Sequence, residues 1–215
     1  MALVEGTNCG FCLVAPTTDP GGGDFVQDTN SYAGKFVAPA DAKIITEIGW
    51  YCDNATEVAN YDLGLYEHDT VNNRPKARLQ VSADNAKGIT AGWKSVSNLV
   101  WEVTGGETYW LAVQLDDTLT ATNGNSTDTA GQKIDSKNAQ TALINPWGAS
   151  DGTAASLVAI YVVYKASCFI KTRYLAGKRT TDYIQNRMKN NFPEVSIGDV
   201  YKMEKDFRVI QKEFA

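Results

Sequence analysis

The stretch TGGETYWLAVQLDD, Thr104–Asp117, decides how the chain is read. Its two glycines, flanked by Thr104 and Glu107, mark a turn, because glycine enters backbone conformations that other residues resist. TYWLAVQL follows, rich in β-branched and aromatic residues and largely apolar on both faces, and it reads as a strand. LVWEV, residues 99–103, precedes the turn with the same texture. The pair predicts a β-hairpin closed by a four-residue glycine turn. Tyr109 and Trp110 stand side by side within it and pose the functional question. Aromatics inside strands line a core, whereas aromatics in turns can offer flat faces to a ligand.

Working outward, the same texture runs from about residue 25 to 170. In KIITEIGWYC, residues 43–52, period two places Ile44, Thr46, Ile48, Trp50 and Cys52 on one face and Ile45, Glu47, Gly49 and Tyr51 on the other. NYDLGLYEHD, residues 60–69, turns Tyr61, Leu63 and Leu65 inward and Asp62, Gly64, Tyr66 and His68 outward. SLVAIYVVYKA, residues 156–166, is apolar on both faces and reads as a central strand covered from both sides. Between the strands lie long polar segments that read as loops: PTTDPGGGD (16–24), TVNNRPKAR (70–78) and DTLTATNGNSTDTAGQKIDSKNAQ (117–140). The expected fold is mainly β: an antiparallel β-sandwich or jelly roll over 25–170, preceded by an N-terminal arm over 1–24.

After Cys168 the composition changes. Of 18 glycines only Gly177 and Gly198 fall in the last 45 residues, and helix formers take over. Thr180 or Thr181 can cap a helix reaching about Asn190, Pro193 interrupts it, and Ser196 with Asp199 resembles a capping box for a second. In that second helix Val200, Met203, Phe207, Ile210 and Phe214 recur at spacings of 3, 4, 3 and 4. So short an apolar seam does not hold a coiled coil alone, so residues 171–215 are read as a helical tail whose seam docks on its own sandwich or on another subunit.

Charge divides at the same place. The chain carries −5 overall; residues 1–170 hold 10 Lys+Arg against 19 Asp+Glu, and residues 171–215 hold 10 against 6. An acidic body argues against nucleic acid as the ligand, because phosphate repulsion would meet no basic groove. A basic tail complements it and favours a contact between copies, so a homo-oligomer or larger assembly is expected. Hydrophobic residues at 43% and charged residues at 21% sit near the globular average and argue against wholesale disorder. No apolar run approaches the ~20 residues that span a bilayer, so no membrane insertion is expected. MALVEGTNCGF shows neither the basic start nor the apolar segment of a secretory signal.

GKFVAPADAKIITEIGWY (34–51), DLGLYEHD (62–69), ITAGWKSVS (89–97) and GGETYWLAVQL (105–115), in that order, resemble the β-sandwich modules of phage virion proteins, tail fibres and bacterial surface adhesins, carbohydrate-binding-like domains among them. The resemblance covers about residues 24–165 and lies at the level of fold and setting. It implies a virion or extracellular location and a role as spacer, oligomerisation unit or ligand binder. It also implies that the Gly-Trp tryptophan, Trp93, plugs one end of the sandwich.

The site candidates follow from residue chemistry. Sugars pack their C–H faces on flat indole rings, and Trp93 and Trp147 lie outside the strands read above, whereas Trp50, Trp101 and Trp110 read as core. Trp147, between Pro146 and Gly148, is the expected exposed platform for a glycan. Asp53, Asp69, Asp116 and Asp117 stand in loops with the hard oxygen ligands of a structural calcium ion, though turn chemistry explains isolated Asp and Asn equally well. CGFC brings Cys9 and Cys12 together, with Cys52 and Cys168 distant; buried free thiols are expected, with a zinc site or a 9–12 disulfide as alternatives. Catalysis finds no support: His68 is the one histidine, no nucleophile elbow is present, and carboxylate pairs among Glu47, Glu102, Glu107 and Asp117 are what any acidic β-protein offers. The expected function is therefore a non-enzymatic structural subunit, with a glycan- or cell-surface-binding module as the alternative.

Overall fold

A computed structural model describes residues 2–21, 23–53, 57–116 and 123–166. Asp117, Cys168, the tail helices and the seam of Val200, Met203, Phe207, Ile210 and Phe214 lie outside the described residues. In chain order the described strands are β1 (Gly10–Cys12), β2 (Gly23–Val26), β3 (Ser31–Val37), β4 (Ala42–Asp53), β5 (Asn60–Asp69), β6 (Arg74–Ala86) and β7 (Gly92–Glu102). They continue with β8 (Thr108–Leu115), β9 (Asn123–Asp128), β10 (Ile134–Lys137), β11 (Gly152–Ala154), β12 (Ser156–Val158) and β13 (Ile160–Ala166). Among the described residues there is no helix.

The strands form two sheets. Sheet 1 runs β1-β13-β4-β9-β12, with β7 also paired to β4 and β2 to β9; sheet 2 runs β11-β10-β3-β8-β5-β6. Every pairing is antiparallel except that of β1 with β13. The inner faces share one core. Phe36, Leu63, Leu65, Leu111 and Val113 from sheet 2 meet Ile45, Ile48, Trp50, Ile160 and Val162 from sheet 1, all buried. Each such side chain contributes about 1.5–3 kcal/mol on leaving water, so the facing sheets hold together without a crosslink.

The glycine turn has a different role from the one its local sequence predicts. β7 pairs with β4, Ile45 opposite Trp101, while β8 pairs with β3 and β5. TGGE therefore crosses from one sheet to the other and is no hairpin. The crossing is fixed against residues 38–40: Gly106 N–H donates to Ala38 O, and Ala38 N–H donates to Glu107 O, both at 2.9 Å. Gly106 holds φ +85, and a Cβ on Gly105 would lie 2.2 Å from Ala40 O, so both glycines are required where they stand.

Other differences have local causes. The register of β4 against β7 shifts between Ile45 and Glu47. This bulge turns Ile45 inward and leaves Ile44 and Thr46 half-buried, reversing the expected face for that half; Ile48, Trp50 and Cys52 beyond it face the core as read. TVNNRPKAR is a tight turn followed by the start of β6, closed by Asp69, whose Oδ1 accepts the Val71 and Asn72 N–H groups at 3.0 and 3.1 Å. The polar stretch before residue 140 contains β9 and β10, paired to β2, β4, β12, β3 and β11. SLVAIYVVYKA divides at Ala159 into β12 and β13. The first residues are part of the body: β1 pairs with β13, and Leu3, Cys9 and Phe11 are in the main core.

Candidate functional site

Strand alternation gives each sheet an outer face as well as an inner one, and the two outer faces are built differently. On sheet 2, residues 138–151, between β10 and β11, fold back as a flap. Leu143 and Trp147 of the flap join Ala33, Tyr66, Trp110 and Ala112 of the sheet in a second buried apolar cluster. Tyr66 and Trp147 meet edge to face, ring centroids 5.1 Å apart.

Polar contacts pin the flap along its length. Gln114 Nε2 donates to Gln140 O at 2.9 Å, Leu143 N–H to Asp62 Oδ2 at 3.1 Å, and Tyr66 Oη–H to Ile144 O at 2.6 Å. Arg78 bonds at both ends, its backbone N–H to Asn145 Oδ1 at 2.9 Å and its guanidinium to Leu143 O. Trp147 N–H donates to Lys76 O at 2.9 Å and its indole N–H to Asp135 Oδ1 at 2.6 Å, while Ser150 Oγ–H donates to Asp135 Oδ2. Burial pushes the Asp135 carboxyl above the usual carboxylate range, against the lowering effect of those two donors.

Trp147 is therefore no exposed platform. Its side chain is fully buried and its N–H is occupied, so no face is free for a sugar. The face of β5 expected outward is also covered: Asp62 and Tyr66 are buried, and Asp62 Oδ1 accepts Asp84 N–H at 2.9 Å.

On sheet 1 the described residues cover the outer face only in part, with residues 18 and 19 reaching Trp93 and Tyr51. Tyr51 of β4, Trp93 of β7 and Tyr161 of β13 form a row, with Trp93 5.2 Å from each tyrosine in edge-to-face geometry. Trp93, expected in a turn, is the second residue of β7; it is half-buried, and its indole N–H donates to Thr18 O at 2.9 Å. Gly49 makes room for Tyr161, since a Cβ there would lie 2.6 Å from that ring. Tyr161 Oη–H donates to Glu47, and the phenol is pushed up by burial first and by that carboxylate second. Tyr51 is pushed up to about 12 by burial, then by its bond to Asp19 and the charges of Asp19, Asp53 and Cys52. Beyond Glu47 the face dips into a shallow open depression of about 390 Å³ lined by Thr46, Glu47, Ser97, Asn98, Leu99, Val100 and Lys165.

Among the described carboxylates expected to hold calcium, Asp69 stands apart from Asp116. Tyr61 pairs with Leu115 and Glu67 with Tyr109, which puts Asp116 at the start of β5 and Asp69 at its far end, nine residues away. At ~3.3 Å per residue that is roughly 30 Å, and Asp69 is already occupied by its turn and by Arg74 at 3.6 Å. Asp53 ends β4, on the other sheet from the strand that Asp116 follows. Among the described residues no group of three or more His, Cys, Asp or Glu is placed to hold a metal ion. Cys9, Cys12 and Cys52 are buried free thiols. Burial raises all three, Cys12 and Cys52 to about 11, so the reactive thiolate is suppressed.

Two features went unread in the sequence: the Tyr161–Glu47 contact, which joins residues 114 apart, and the bond from Trp110 Nε1–H to His68 Nδ1 at 3.0 Å. No motif spacing signals either. The described residues thus form a mainly β body of two facing, mostly antiparallel sheets, one outer face roofed by the 138–151 flap and the other leaving Trp93 half-buried among the described residues. No protein-family model, no curated protein and no solved structure matches it.

Proposed function

We propose that the chain is a non-enzymatic structural subunit of a virion or extracellular assembly, a jelly-roll-like body that self-associates through its terminal segments. The observation that carries this reading is the use of its five tryptophans. Trp50, Trp101, Trp110 and Trp147 are buried and Trp93 is wedged between two tyrosines, so the aromatic surface is spent on rigidity. A rigid body with packed faces is what repeated subunit contacts need. The apolar seam at Val200, Met203, Phe207, Ile210 and Phe214, on a basic tail behind an acidic body, supports association between copies. The resemblance of residues 24–165 to virion and adhesin modules supports the setting.

Light scattering on the full chain and on a chain ending at residue 170 tests the proposal. The full chain should give a mass of several subunits that falls to one on truncation; a full chain that stays single at high concentration contradicts it. A second reading, glycan binding, has one observation in its favour: Trp93 is half-buried among the described residues, with Glu47, Ser95 and Ser97 along the same strands. Glycan-array binding lost in Trp93→Ala would move the function to that reading.

A further inference from the structure

His68 of β5 is half-buried and bonds one member of the flap cluster in a geometry that works in one protonation state. Trp110 is fully buried, and its indole N–H donates to His68 Nδ1 at 3.0 Å. The bond requires a bare Nδ1, so the neutral ring carries its proton on Nε2. An imidazolium has a proton on both nitrogens and accepts nothing. Trp110 N–H would then be left without an acceptor inside the cluster that Leu143 and Trp147 complete.

The charges around the ring come from β3, β5, β6 and the residue before β10, Lys133, which is itself paired with Glu5 at 2.9 Å. Lys35 of β3 lies with Nζ 5.9 Å from the Trp110 ring centroid, held by Asn73 Oδ1 at 2.7 Å, and Lys133 adds a second positive charge beside Lys35. Asp69, next along β5, favours the charged ring but is shared with Arg74 of β6 at 3.6 Å; Glu67 faces Lys76 at 3.8 Å. Burial and Lys35 outweigh Asp69 and hold the imidazole below its ordinary value of 6.5.

We propose that His68 is an acid-sensitive latch: protonation of its ring withdraws the acceptor from Trp110 and loosens the 138–151 flap from the outer face of sheet 2. The carboxylates that also hold the flap do not mimic this. The Asn138 N–H holds the Asp151 carboxyl below its ordinary value, so its loss as an acceptor belongs to more acidic solution, and Asp135 keeps an oxygen for Trp147 when protonated.

The test uses the full chain. It has one histidine, so the ring Cε1–H resonance is unambiguous in a pH titration. The Trp110 indole N–H should shift with the same midpoint, below the free-histidine value. Amide exchange at Leu143 and Trp147, corrected for the intrinsic pH dependence, should rise roughly tenfold between pH 7.5 and 5. In His68→Gln, whose Oε1 accepts without titrating, that rise should vanish. Flap protection that stays flat while His68 titrates, or a rise that persists undiminished in His68→Gln, overturns the latch. Should His68→Gln fail to fold, the wild-type midpoints decide: a flap transition displaced from the histidine midpoint by more than about one pH unit overturns it equally.

Discussion

Each sheet carries a group of aromatic side chains that pack on one another, and the two groups are finished in different ways. On sheet 2, Tyr66 and Trp110 are roofed by a segment that brings its own tryptophan, its own leucine and a ladder of hydrogen bonds. On sheet 1, Tyr51, Trp93 and Tyr161 brace one another and leave Trp93 half-buried, with a shallow polar dip beyond Glu47. The difference teaches that an aromatic residue's chemistry does not decide between packing and display. A roof does, and a roof is a tertiary event.

The largest expected effect breaks the closed face. Trp147→Ala removes a fully buried indole and should cost about 3–5 kcal/mol in chemical denaturation. Trp93→Ala on sheet 1 should cost clearly less, because its ring is only half-buried. Equal losses would erase the distinction between the faces.

A smaller effect sharpens it. Asp135→Leu leaves the Trp147 indole N–H buried without its acceptor and should cost about 1–3 kcal/mol, whereas Asp135→Asn keeps an oxygen there and should cost less. The pH profile carries the sign. Because the folded carboxyl titrates above its unfolded value of 3.8, its contribution is full below that value and is lost as pH rises through the folded one. Asp135→Asn should therefore flatten that loss, seen as a smaller stability difference between pH 4 and pH 7 by denaturant melts. His68 acts in the opposite direction: with its ring held below 6.5, the stability it contributes is present above 6.5 and declines as pH falls through the folded value.

Much of the sandwich was legible because strands carry a period of two. Tyr61, Leu63 and Leu65 face the core as their alternation demands, and Ile48, Trp50 and Cys52 do the same. The errors begin where a distant segment intervenes or where one residue is added. The bulge near Thr46 reversed half of β4, and nothing in KIITEIGWYC marks it. TGGE was rightly a turn, but a turn's sequence does not say whether the strand beyond returns to the same sheet; β4 had already claimed β7. Tyr66 read as outward because its cover comes from a segment more than 70 residues later. Trp147 read as exposed because Pro146 and Gly148 describe its backbone, while the socket made by Tyr66 and Asp135 describes its side chain. Asp69 and Asp116 looked like members of one ligand set only while the topology, which sets them at opposite ends of β5, was unknown.

The contrast between the faces is tested most directly by hydroxyl-radical footprinting of the full chain in native buffer, with oxidation read tryptophan by tryptophan from mass spectra. The account predicts that Trp93 is modified fastest of the five and that Trp110 and Trp147 are spared together. Trp147 oxidised as quickly as Trp93 would contradict it, because the flap would then be no roof.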